Sequence, residues 1–380
     1  MNAPPTRSER RDTEPARKAL TDRGALQTGA LVIIAFAVVL FLLVQAQFLL
    51  ISLATAIVVF SLTSDAINFI ARFRLGPVGI PNWLASIAAV ALISAILLTL
   101  TSIILSQVNT VLTTTLTYAE SAPSAIAALF SFLGPDIQTA VFDAVRTVDV
   151  SGYLRSIAGQ AGNLMQGTVL VILFVGFLFG ERIWFSTKLT NFFGDEAQAE
   201  RVGRIMGSII HRVNYYLLVK TFVSAVTGVM VYFVAKLFAL DLAGALGVIT
   251  FILNYIPNIG SIVATVLVAL VTYVQLADPT ATIAIFAVVG VIQFLNGNVI
   301  DPILMGRALR VSTFGIIISL AFWGAVWGIP GMFLSVPIMV ALLIVCSHVP
   351  GLRPIAILLS REGLPETEAE TRAGTGAAPR

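Results

Sequence analysis

Charge is scarce in this chain. Asp, Glu, Lys and Arg make up only 11% of its 380 residues against 57% hydrophobic, and the mean hydropathy is +0.94, far outside the range of a soluble globular domain. Cysteine is nearly absent: Cys346 has no second thiol to pair with, so there is no intramolecular disulfide framework, and its place in an apolar run marks it as packing. With that one cysteine and two histidines, His211 and His348, no metal-ligand or nucleophile constellation is visible. Enzymatic activity, a cofactor, a bound metal and a nucleic-acid partner are therefore not expected. No Walker G-x-x-x-x-G-K-[ST] pattern occurs, which argues against ATP drive within the chain, and the alternating hydropathy of a transmembrane barrel is missing.

Long apolar runs are what the chain has instead. They lie at 28–44, 47–62, 83–106, 166–180, 215–239, 243–258, 260–276, 281–299, 311–327 and 331–347, and runs of this kind cross a bilayer as helices because helices satisfy their own backbone groups. The expected fold is an all-α polytopic membrane protein of about eight transmembrane helices, with a Pro/Gly-broken or re-entrant hairpin and an extracytoplasmic helical region. The pairs 243–258/260–276 and 311–327/331–347 are each a candidate for that hairpin.

The organisation expected along the chain starts with a disordered cytoplasmic tail at 1–27, polar and mixed in charge. Three crossings follow within 28–106, then an extracytoplasmic amphipathic region at 107–165, a fourth crossing at 166–180 and a cytoplasmic helical linker at 181–214. A C-terminal membrane core fills 215–348, and 349–380 is a second, mostly disordered cytoplasmic tail. With both termini in the cytoplasm, 19 of the 23 Lys and Arg fall on that side, as the positive-inside rule requires. Lys220 and Lys236 sit near the ends of one long apolar segment, where their stems can snorkel to the interface. Within the linker, acids at the start and arginines later suit a helix dipole.

Three elements of the membrane core carry the chemistry. In NYIPNIG, Pro257 lacks an N–H, which would leave the Leu253 carbonyl without its helical partner, and Gly260 weakens the helix further. Backbone freed in this way must be buried in protein or line a wet cavity, and Asn254, Tyr255 and Asn258 stand ready there with amide and hydroxyl groups. In QFLNGNVIDP, Gln293, Asn296, Gly297 and Asp301 share an arc of about 140° at helical spacing. Pro302 predicts a helix end at Asp301, with Arg307 and Arg310 close in sequence as partners for a cytoplasmic gate. In the third, Gly328, Pro330, Gly331 and Pro337 interrupt the last apolar stretch. IPNIGSIVATVLVALV from Ile256 also aligns with IPGMFLSVPIMVALLIV from Ile329, an inverted pair if the repeat is real.

The order and spacing of these elements resemble the autoinducer-2 exporter family of bacterial membrane proteins. Its IP-x-x-G break matches Pro257 and Gly260, its Q-x-x-x-x-N-x-x-x-P-x-x-x-G element matches Gln293, Asn298, Pro302 and Gly306, and its G-x-x-G-x-x-x-x-x-P element matches Gly328, Gly331 and Pro337. The resemblance implies a homo-oligomer in the bacterial cytoplasmic (inner) membrane that exports a small polar solute. Some relatives are linked to autoinducer-2 and others to sodium/proton exchange. Where the family often has a carboxylate just before the asparagine, this chain has Asn296, Gly297 and Asn298, so the resemblance carries no carboxylate proton relay to that spot. Three readings stay open: a secondary exporter using Asn254, Tyr255, Asn258, Gln293, Asn296 and Asn298, an H+ or Na+ antiporter, and a membrane scaffold or passive pore.

Overall fold

The computed structural model describes residues 27–71, 82–118, 122–131, 134–147, 150–182, 184–305, 311–361 and 363. The expected tail at 1–27 falls outside the described residues except for residue 27, as do Gly306, Arg307 and Arg310, whereas the expected tail at 349–380 is described over 349–361 and 363 and begins with a helix, Arg353–Leu359, that packs back on the membrane core. The chain is an all-α polytopic membrane protein: seven of its described helices are long and apolar enough to cross a membrane. The first fifty residues form a unit of their own, in which Gln27–Gln45 is an apolar helix, α1.

The second unit begins within α2 (Gln47–Ala71) and continues through α3 (Asn82–Tyr118), α4 (Ala122–Leu129), α5 (Pro135–Arg146), α6 (Val150–Arg182), α7 (Phe185–Phe193) and α8 (Glu196–Leu237). Two expected boundaries dissolve here. α3 runs past residue 106 and α6 begins before 166, so only α4 and α5 stand as separate helices between them. The expected linker helix is the first part of α8, which continues for 42 residues. Its start is fixed by Asp195, whose side chain accepts from the Ala197 N–H at 3.0 Å, and no Pro follows within the helix to break it.

α9 (Ala243–Leu253) and α10 (Ile259–Leu276) come next. α9 has 11 residues, roughly 16 Å of helix, too short for a hydrocarbon core of about 30 Å. It runs back along α8 from the Leu237 end. Gly228 and Gly247 set that approach: a Cβ on Gly228 would lie 2.8 Å from the Gly247 carbonyl, and one on Gly247 would lie 2.9 Å from the Gly228 carbonyl. Small residues permit such backbone contact between helices in lipid. At the base of this pair, Tyr118 donates to Asp241 Oδ2 at 2.8 Å, and that hydrogen bond to a carboxylate pushes the phenol pKa up.

α11 (Pro279–Leu295) leads through a π-helical turn, Asn296–Ile300, into the short α12 (Asp301–Met305). The helix therefore passes Asp301 instead of ending there. Pro302 has no N–H to give, and widening the preceding turn to π geometry, with the Asp301 N–H bonded to the Asn296 carbonyl, lets the chain stay helical around the ring.

α13 (Thr313–His348) is a single helix only by its hydrogen bonds, because Gly328 adopts φ 62°, ψ −141° and the chain folds back on itself there. Ser319 Oγ donates to the Ser335 carbonyl at 2.7 Å, a contact impossible along one straight helix, where sixteen residues span about 24 Å. The arm before Gly328 has 15 residues, roughly 22 Å, again short of a full crossing. Its base packs on the other side of Thr221 along α8, toward the helix N-terminus: Val311 and Leu343 share a cluster with Val213 and Leu217, and Val311 forms a β-bridge to Ser360 after α14 (Arg353–Leu359). Both Pro/Gly breaks thus become helical hairpins, inserted from opposite directions along α8. Among the described residues, these two hairpins with α1, α2, α3, α6, α8 and α11 make up the expected set of about eight membrane units.

Candidate transport site

The tips of the two hairpins meet beside the middle of α8. Tyr255, in the first tip, stacks on Phe333 of α13 with ring centroids 5.0 Å apart, and its hydroxyl donates to Thr221 Oγ1 at 2.7 Å. It joins both hairpins to α8. The tip itself is strained: Asn258 has φ 61°, ψ −48°, and the Ile259 N–H reaches the Pro257 carbonyl at 2.7 Å, a γ-turn of the rare positive-φ kind. The Leu253 carbonyl is not left free by Pro257, as expected above, since the Ile256 N–H bonds to it at 2.9 Å.

Below that tip lies a buried polar layer. Asn296 Nδ2 donates to Asn254 Oδ1 at 3.1 Å, and Asn254 Nδ2 donates to Ser224 Oγ at 3.1 Å, so three elements are linked by one chain of hydrogen bonds. Asn254, Asn296 and Ser224 are all buried, as is Gln293. The layer is not saturated: among the described residues Asn296 Oδ1 and both amide atoms of Gln293 have no partner, and orphaned polar atoms at such depth are costly unless something else meets them.

One helical turn along α8, Lys220 Nζ donates to Asp301 Oδ2 at 2.7 Å, with the two side chains only 5% and 18% exposed. Lys220 does not snorkel; the expected arginine partners of Asp301 lie outside the described residues, and the lysine takes the carboxylate. Burial of both charges is what makes them partners, because an isolated ion here would carry several kcal/mol of desolvation. The other described ion pairs, Glu181 with Lys188 and Glu200 with Arg204, are more than 60% exposed. Among the described residues Asp301 Oδ1 has no partner. A cavity of about 120 Å³ opens on this pair, lined also by Asn254, Asn258, Ser261 and Gly297.

Of the sequence candidates, Asn254, Pro257, Asn258 and Asp301 line this cavity and Gly260 packs against Leu253 in the tip above it, whereas Gly331 packs within its own hairpin against Trp323 and Gly328 is exposed. Asn298 does not join the layer, since its amide donates to its own helix at the Phe294 carbonyl, 3.0 Å away, beside the exposed Pro302. Pro330 is exposed and Pro337 buried within the second arm of α13. Sequence reasoning missed Ser224, Thr221 and the role of Lys220. The signal was there in KTFVS, where Lys220 and Ser224 stand four apart on one face of an apolar helix. Among the described residues no group of three or more His, Cys, Asp and Glu is placed to hold a metal ion.

Comparison with known proteins agrees with this architecture. A family model described as AI-2E family transporter matches residues 31–351. A transport protein of Borreliella burgdorferi is 30% identical over 221 residues, 57% of this chain and 60% of its own length. The AI-2 transport protein TqsA of Escherichia coli K12 is 33% identical over 211 residues, 54% and 59% of the two chains, and the transport protein YhhT of the same strain is 34% identical over 149 residues, 39% and 42%. The chain spans about three-fifths of the length of the first two of these relatives. The chain belongs to the AI-2E transporter family.

Proposed function

We propose that this chain is a secondary transporter that exports a small polar solute, autoinducer-2 among them, across the cytoplasmic membrane of a bacterium. One observation carries the proposal: two hairpins enter from opposite directions along α8 and meet at Tyr255 and Phe333, next to a buried amide layer whose acceptors are open. Such an arrangement offers a solute its hydrogen bonds at mid-depth while backbone irregularities face protein and cavity. Both termini lie in the cytoplasm, as the distribution of Lys and Arg favours, and the protein works as a homo-oligomer in the lipid bilayer. Membership of a family of transport proteins points away from an enzyme.

A second reading has an observation of its own. The buried carboxylate of Asp301, held by Lys220 and open at Oδ1, is what an H+ or Na+ antiporter needs. Efflux from proteoliposomes separates the two, comparing autoinducer-2 with Na+, each with and without an imposed proton gradient. Gradient-stimulated loss of autoinducer-2 supports the exporter, and Na+ movement against protons supports the antiporter. Flux of neither, in protein that keeps a partner through purification, supports a scaffold. For the exporter, Asn254→Leu breaks both hydrogen bonds of the layer and is expected to lower autoinducer-2 efflux about tenfold or more, given the roughly 1–3 kcal/mol that attends each orphaned group. Pro257→Ala and Asn258→Ala are expected to impair flux with normal membrane insertion; wild-type flux in both would remove the NYIPNIG tip from the mechanism.

A further inference from the structure

A second chamber adjoins the one that holds the ion pair. It has a volume of about 340 Å³ and lies between α10 and α11, sharing Asn258, Ser261 and Gly297 with its smaller neighbour. That volume falls at the lower end of small-molecule pockets. The two differ in charge: Lys220 and Asp301 line the smaller one, whereas among the described residues no ionisable side chain lines the larger. Its outer rim is apolar, with Ile262, Phe286 and Phe294 exposed.

Gln293 is the group that this chamber does not explain by packing. It lines the chamber, is 5% exposed, and neither Nε2 nor Oε1 finds a hydrogen-bond partner among the described residues. Thr265, also buried in the wall, donates its hydroxyl proton to the Ser261 carbonyl at 2.8 Å, which leaves its oxygen free to accept. A primary amide sets one donor and one acceptor side by side. Its matching partner is a group that also donates and accepts, such as a hydroxyl or a pair of neighbouring hydroxyls, and the aromatic rim covers the C–H faces of such a molecule. An anion or cation would find no countercharge.

Resting on the transport reading above, we propose that this chamber is a binding site for a neutral hydroxylated organic solute, with Gln293 as its specificity-determining residue. Charge is met only beyond Asn258, Ser261 and Gly297, in the smaller cavity. The division of labour separates recognition of the solute from the ion pair.

The test uses the full-length protein, whose only cysteine, Cys346, is 3% exposed, so an introduced thiol reports with little background. Thr265→Cys places that thiol in the chamber wall, and its rate of alkylation by N-ethylmaleimide is followed with ribitol or with ribonate as probe, at equal concentration. Ribitol is expected to slow alkylation severalfold and ribonate to leave it unchanged. Adding Gln293→Leu is expected to remove the protection while the rate without probe stays as it was. An unreactive thiol, no slowing by ribitol, equal slowing by both probes, or protection that survives Gln293→Leu would each overturn the proposal. The contrast between the probes in Thr265→Cys alone decides the matter even where the leucine variant does not fold. Protection needs no flux, so intact protection without solute efflux would count against the transport reading and leave the site standing.

Discussion

Gly260→Ala is expected to abolish most of the folded protein. A Cβ at Gly260 would lie 1.7 Å from the Leu253 carbonyl oxygen and 2.6 Å from its carbon. Those are backbone atoms in the tip of a tight hairpin, so no side chain can swing aside to relieve the clash. Overpacking a core costs about 1–3 kcal/mol where neighbours can yield, and here they can yield only by opening α9 from α10. Gly331→Ala meets the same obstacle in the second hairpin, where a Cβ would lie 2.0 Å from the Trp323 carbonyl oxygen. The control is Gly203→Ala on α8, which meets nothing within 4 Å and gains helix propensity. Monodisperse yield after detergent extraction measures the outcome: both hairpin variants should fall by roughly fivefold or more, the factor that 1–2 kcal/mol produces in a marginal fold. Wild-type yield for Gly260→Ala would mean that the two arms do not pack this closely.

Lys220→Met carries the next largest effect, through charge instead of volume. The variant keeps most of the apolar stem and removes the ammonium, leaving the Asp301 carboxylate without its lysine and, among the described residues, with neither oxygen paired. Breaking one partner of a buried pair costs about 3–5 kcal/mol, while replacing both by neutral groups of similar shape is often neutral. Thermal unfolding in detergent should therefore show a large drop in Tm for Lys220→Met and for Lys220→Ala. Most of it should return in Lys220→Met with Asp301→Asn. Equal losses in the single and double variants would show that Lys220 contributes by packing its stem and not by holding the carboxylate.

The breaks were legible in the sequence because their cause is local. Pro257 with Gly260, and Gly328 with Pro330 and Gly331, remove helical hydrogen bonds wherever they occur, so each pair was a candidate for the one hairpin expected. That both pairs fold back, and from opposite directions along α8, was not fixed by any local signal. It follows from helix lengths, 11 residues for α9 and 15 for the first arm of α13, which depend on where the neighbouring turns fall. Asp301 stood out as a charge at the edge of an apolar run, and the arginines named for it, Arg307 and Arg310, lie outside the described residues. Lys220 lies 81 positions away, a separation that no periodicity reports. The arc of Gln293, Asn296, Gly297 and Asp301 was drawn on a regular helix, and these residues do face the two cavities and Asn254; the π turn at 296–300, which carries the helix past Asp301, had no signal in the spacing.

The meeting of the hairpin tips has an electrical consequence. Where water follows each hairpin inward from its own side, the insulating layer shrinks from the full bilayer to the septum around Tyr255 and Phe333, and the membrane voltage falls mostly across that short distance. Moving one elementary charge through the whole potential is worth about 2.3 kcal/mol per 100 mV. Lys220 and Asp301, locked together, carry no net charge through that field, so a step that moves them as a pair is insensitive to voltage. Any step that parts them is not, and its rate would report the parting as a current.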